Sequence, residues 1–239
     1  MPEEDDTDRP AHVATRRAPR QEPLGVDMGR ILALTDGVFA FALTLLVLSL
    51  TVPVIVTQGV PTAVVSGNLG VALWQARGTF AAYVFVFVMI AIWWVSHHRV
   101  FRYIIRYDDA LVWMNLALLI EIAVMPYVLK VYITYIQTRV ATDLFAAVEM
   151  ITGLTIGLIW LYAGHGHRLI ARDFPELAVS YFNRRLLLSP LVFAISIGVS
   201  FVSVTGAEIT WVGVFVAVWF SRHVYATNAR RENASRPGL

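Results

Sequence analysis

Cysteine is absent from the 239 residues, which excludes disulfides and thiolate metal sites and leaves the redox compartment undetermined. Charge is scarce: 15% of residues are Asp, Glu, Lys or Arg, against about 25% in an ordinary soluble domain. No P-loop, GxSxG or HExxH is present, so no enzyme class, cofactor or metal site announces itself. A TVGYG-type filter, an acidic ring on an external loop and a voltage-sensing arginine repeat are missing as well. The two halves are not inverted copies, and no pair of Gly/Pro-broken spans marks a secondary transporter. What remains is apolar. Hydrophobic residues make up 57% of the chain and are gathered into long runs, the signature of a protein whose partner is the lipid bilayer. The net charge of +2 and the pI near 9.0 come from arginines at loop positions. They read as topology signals, so nucleic acid is not an expected partner.

Six runs are long enough to cross a hydrocarbon core of about 30 Å: 30–53, 78–101, 110–132, 143–164, 185–204 and 208–226. The expected fold class is an all-α integral membrane protein with six transmembrane helices per subunit. Residues 1–27 carry an acidic run, several arginines and Pro2, Pro10, Pro19 and Pro23. They are expected to be a disordered tail rather than a cleaved leader, because the first apolar run begins only at Ile31 and is too long for a signal peptide. Residues 28–226 are expected to form the six-helix transmembrane domain, and 227–239 a second polar tail. The weakly apolar stretch 54–76, with Pro53 before it and Pro61, Gly59, Gly67 and Gly70 within it, is expected to be an external loop with a short interfacial helix near Leu69–Trp74. With six spans, one side holds both tails and the 2–3 and 4–5 loops, and with them sixteen of the nineteen Lys and Arg residues. The other side holds Arg77, Lys130 and Arg139. The positive-inside rule then predicts a multi-pass protein of the cell membrane with both termini cytoplasmic.

The first span is unusual in carrying Arg30, Thr35 and Asp36 at its inner end. A carboxylate near the bilayer centre costs about 2.5–3.5 kcal/mol on insertion scales. Thr35 and Asp36 lie roughly 9 Å in from Arg30 at 1.5 Å per residue. Span 2 ends in Trp94, His97 and His98, and span 3 begins with Asn115 a few residues in. All share one slab in the cytoplasmic third, so Asp36, His97, His98 and Asn115 are expected to form one hydrogen-bonded cluster, joined by Arg30 and Trp94. Such a cluster suits a structural lock, a proton relay or, less readily, a metal site, because adjacent histidines point about 100° apart on a helix. His165 and His167 are expected at the membrane interface. Glu121 and Glu149 are isolated intramembrane carboxylates with no partner legible in the sequence.

The same span carries a stripe. With Phe41 set to zero and 100° per residue, Leu34 falls at about +20°, Gly37 at about −40°, Thr44 at about −60°, Leu45 at about +40°, Leu48 at about −20° and Val52 at about +20°. Asp36 falls at about −140°, on the other side. Ala33, Gly37, Ala40 and Thr44 flank the stripe with small side chains that allow close helix approach. An apolar stripe in an apolar helix is ordinarily packing. A polar anchor facing one way and a stripe with small shoulders facing the other also suit a helix that meets copies of itself around an axis, where an apolar ring gates by dewetting.

These residues resemble a known family. Arg30, the run Leu34 to Ala40 and the following Leu43-Thr44-Leu45-Leu46 are similar to the first-helix signature R-x-x-x-F-S-D-G/A of the lysosomal potassium channel family (transmembrane protein 175), in its single-repeat bacterial form. Trp94-x-x-His97-His98-x-x-Phe101 and the run from Asn115 to Met125-Pro126-Tyr127 extend the likeness. The resemblance implies a homotetramer without a carbonyl filter, in which the first helix lines the pore and potassium, among monovalent cations, is the permeant ion; no cofactor is implied. By position it implies a constriction at Phe41, Leu45 and Leu48, ion preference at Thr44, and a polar network of Arg30, Thr35, Asp36, Trp94 and His98. Two positions depart from the family: Leu34 replaces the signature phenylalanine, and Phe41 replaces the Ile or Leu usual at the innermost constriction. A proton pathway or proton-coupled transporter through Asp36, His97 and His98 is the alternative reading.

Overall fold

The computed structural model describes the backbone of residues 28–171 and 176–214, and the side chains of 28–171 and 186–214. The helices run in chain order as α1 (Met28–Leu45, continued by a 3-10 turn Leu46–Ser49), α2 (Thr62–Gln75), α3 (Arg77–Phe101), α4 (Asp109–Thr134), α5 (Arg139–Gly164, with a 3-10 turn His165–His167), α6 (Glu176–Ser200) and α7 (Val204–Thr210). Four stretches are long and apolar enough to cross a membrane: Met28–Ser49, Arg77–Phe101, Asp109–Thr134 and Arg139–His167. Leu186–Ser200 is a shorter apolar stretch of α6. The expected sixth span, 208–226, lies largely outside the described residues, as do both expected tails.

Two boundaries differ from the sequence reading, each for a local reason. The first span ends at Ser49 rather than residue 53, because the residue before Pro53 is driven out of the helical region; Leu50 is already extended, with φ −75° and ψ 130°. Val52 therefore leaves the helical stripe. α1 and its 3-10 turn still reach roughly 35 Å, enough for the hydrocarbon core. The interfacial helix expected near Leu69–Trp74 is the full 14-residue α2, which starts directly after Pro61.

α5 is the central post, packing chiefly on α6 and α4, while α1 lies along α4 and touches α3. Phe39, Leu46, Met89, Trp93, Leu118, Ile122, Phe145, Ile156, Trp160 and Phe193 fill the interior with almost no exposed surface. Lipid tails are as apolar as these side chains, so packing and interhelical hydrogen bonds hold the bundle together. Gly153 shows how closely: a Cβ there would stand 2.8 Å from Pro190 Cδ and 2.9 Å from the Trp93 ring. Phe85, Tyr132, Phe145, Phe193 and Trp211 form an aromatic cluster, with Phe145 and Trp211 centroids 4.7 Å apart.

The α3–α4 and α5–α6 connections are tied together. Ile104 pairs with Ile170 in an antiparallel bridge, and the Ile105 N–H donates to the Leu169 carbonyl. Asp108 caps α4 by accepting from the Leu111 N–H (3.0 Å), and its other oxygen accepts from the Tyr162 hydroxyl (2.7 Å) and the Arg168 guanidinium (3.1 Å). Burial pushes the Asp108 pKa up, but these three donors outweigh it and hold the carboxyl below the usual aspartate range.

Candidate functional site

α1 meets its own subunit on one side and leaves the other bare. Ile31, Thr35, Phe39, Ala42, Leu46 and Ser49 are buried at helical spacing. Ala33, Leu34, Gly37, Ala40, Phe41, Thr44 and Leu48 are exposed, Phe41 by 64% and Leu48 by 72%. Leu45, placed on the edge of the stripe by the wheel, is half-buried. The bare face is thus the expected stripe, and it runs unbroken from Ala33 to Leu48. The Thr44 hydroxyl donates to the Phe41 carbonyl at 2.8 Å. With its hydrogen committed to its own helix, the oxygen offers only lone pairs to what lies outside, which suits a cation.

The single polar cluster expected from the sequence is two separate sets. Thr35 and Asp36 are consecutive, so they point about 100° apart and face different helices. The first set is buried. The His97 ring nitrogen Nε2 lies 2.9 Å from Asn115 Oδ1, Asn115 Nδ2 donates to the Thr35 hydroxyl (2.9 Å), and that hydroxyl donates to the Ile31 carbonyl (2.9 Å). Since the Asn115 oxygen accepts, His97 is the donor through Nε2, and all three bonds are polarised in one direction. His97 stacks on Phe101 with centroids 4.1 Å apart. Its Nδ1 is buried with no hydrogen-bond partner.

The second set is on the subunit surface. Trp94 Nε1 donates to Asp36 Oδ1 at 2.8 Å, and His98 Nδ1 stands 3.8 Å from the same oxygen. The latter distance is ion-pair range, too long for a hydrogen bond. The Trp94 and His98 rings lie 4.8 Å apart. Asp36 and His98 remain about half exposed, at 47% and 50%. Arg30 is exposed and joins neither set. Among the described residues no group of three or more metal-ligating side chains exists.

Several polar contacts were not legible in advance. The Ser49 hydroxyl donates to the Pro126 carbonyl (2.9 Å), and Lys130 Nζ reaches the Ser49 carbonyl (3.3 Å), satisfying the outer end of α1. Trp93 Nε1 donates to the fully buried Glu149 (2.7 Å), and the Thr155 hydroxyl donates to Glu121 (2.7 Å). Tyr132 donates to Glu208 (2.9 Å). A lysine four residues after a helical proline was the one available hint of the Ser49 contact.

A family model described as endosomal/lysosomal potassium channel TMEM175 matches residues 30–126, the stretch holding nearly all of α1, both polar sets and α4 as far as Pro126. The chain is 34% identical over 187 residues to the Streptomyces collinus protein named potassium channel B446_29190, covering 74% of this chain and 84% of that one. It belongs to the TMEM175 family. Its fold is similar to the crystal structure of a lysosomal potassium-selective channel TMEM175 homolog from Chamaesiphon minutus, with a TM-score of 0.66, 26% identity, and coverage of 81% of this chain and 97% of that one. The Danio rerio protein named endosomal/lysosomal proton channel TMEM175 is 31% identical over 109 residues, which is 45% of this chain and 21% of that longer protein. Membership of this family and the four long apolar helices together make the chain an integral membrane protein.

Proposed function

We propose that this TMEM175-family member is a potassium-preferring channel of the cell membrane, built as a homotetramer of six-helix subunits with both termini cytoplasmic. α1 of each subunit lines the central pore. Phe41, Leu45 and Leu48 form the apolar constriction, and the Thr44 oxygens supply the polar contact that favours potassium. The carrying observation is the bare face of α1. A helix hydrogen-bonded to its own subunit at Thr35 and Ser49, yet uncovered from Ala33 to Leu48, presents that face to an axis shared with other copies. The half-exposed Asp36 supports the same assembly. It lies roughly 12 Å along α1 from Met28, where a carboxylate facing lipid is costly, whereas a neighbouring subunit or a water-filled mouth can receive it.

The names of the Streptomyces and Chamaesiphon relatives point to potassium, and the zebrafish relative's to protons. The geometry favours the potassium reading over a relay through Asp36, His97 and His98. His97 belongs to a different, buried set, and a proton on its Nδ1 would meet no acceptor. The test is potassium flux into liposomes holding the purified protein. A potassium gradient should drive flux, Phe41→Ala should change it severalfold, and His98→Ala should leave it channel-like. Absent flux, or flux indifferent to Phe41→Ala and Leu45→Ala, overturns the pore assignment.

A further inference from the structure

α3 ends in a turn whose outer surface, together with α1, forms a crevice of about 380 Å³. Its wall is graded along the membrane normal. Along α3 the lining runs from Trp94 and Val95 to His98, Arg99 and Arg102, with Phe101 among them and Leu32 of α1 opposite; no carboxylate is among the lining residues, and the nearby Asp36 is engaged by Trp94. Trp94, His98 and Arg102 are spaced four residues apart, so the apolar-to-cationic gradient extends over roughly 12 Å. Arg102 is held in place: its guanidinium donates to the Tyr103 hydroxyl (3.2 Å) and sits over the Tyr103 ring at 5.2 Å.

We infer that this crevice binds the headgroup and upper acyl chain of an anionic phospholipid of the cytoplasmic leaflet, with the phosphate at Arg99 and Arg102 and the chain against Leu32, Val95 and Trp94. A phospholipid in that leaflet presents the same order, its charge outermost and its hydrocarbon deeper. Basic pockets between transmembrane helices on the cytoplasmic side hold anionic headgroups by this match. A soluble phosphate would make no use of the apolar wall, and a second copy seated here is the competing occupant that the cross-linking outcome below detects. The site rests on the proposed orientation with both termini cytoplasmic, but not on the pore assignment, since it uses neither Phe41 nor Thr44.

The test is native mass spectrometry of the full chain, delipidated in mild detergent and exposed to phosphatidylglycerol or phosphatidylcholine. Wild-type protein should retain phosphatidylglycerol at least tenfold better. Each arginine near an anionic surface is worth a factor of about five, so Arg99→Gln with Arg102→Gln should lower retention roughly thirtyfold. Leu32→Trp, which fills the crevice without touching its charge, should also abolish retention, and it keeps the test decisive should the double variant fail to fold. Equal retention of the two lipids overturns the inference. So does retention unchanged in these variants, displacement by glycerol 3-phosphate, or cross-linking of Val95→Cys between two copies that bind no lipid.

Discussion

At the scale of single residues, the polar contacts of α1 divide into those that hold it to its own subunit and, in the proposed pore, the one that ions would meet. Asn115 holds it. Its amide bridges His97 and Thr35, so Asn115→Ala orphans a ring N–H and a hydroxyl lone pair in a dry interior and should cost about 1–2 kcal/mol. A lower melting temperature in detergent, with the ion preference of surviving protein unchanged, is the expected result. Thr44 belongs to the second group. Thr44→Val keeps the shape and deletes the only side-chain oxygen on the bare face, so the potassium-to-sodium permeability ratio from reversal potentials should fall toward one. The stripe was legible before the structure because it needs only one helix and its period. The division of the polar residues was not. Thr35 and Asp36 are neighbours in sequence, and which helix each one meets depends on where α3 and α4 stand, a property of the whole bundle that no single-helix pattern contains.

At the scale of elements, interhelical contacts are as tight as the side chains permit. Gly153 lies where α5 meets α6 and Trp93, so Gly153→Ala must displace both the Pro190 ring and the Trp93 indole that holds Glu149. Overpacking of this kind costs about 1–3 kcal/mol, readable as a lowered midpoint in thermal unfolding. The junction at Asp108 should respond to pH. Its folded-state pKa is lowered, so its stabilisation is present above the ordinary aspartate value near ~3.9 and disappears as pH falls through the folded-state value. Asp108→Asn, which retains the cap, should cost about 0.5–1 kcal/mol at pH 7. The gap to wild type, measured by melting temperature across pH, should close at acid pH. The length and composition of the spans revealed four of these elements to within a few residues. α2 was recognised only in part, because its glycines and the flanking prolines suggested a loop, and it becomes a full helix only after Pro61 sets its first turn.

At the scale of the molecule, the assembly is the feature on which the pore depends. Mass photometry or light scattering of the purified protein should give four copies per particle; a monomer would leave α1 with no axis to line. The two attachments of α1 to α4, beside the Trp94–Asp36 bond that ties it to α3, also limit how the proposed pore can move. Asn115 grips the inner end and Lys130 with Pro126 the outer end, and all three belong to α4. In mechanical terms α1 is a strut riveted twice to one beam, roughly 21 Å apart. Turning or sliding α1 by itself strains these bonds, so torque on it passes into α4 and, through Trp94, into α3. In the proposed pore, opening would then move α1 together with the α3 and α4 it is bonded to, or turn the Phe41 ring, which none of these bonds touches, on its own bonds.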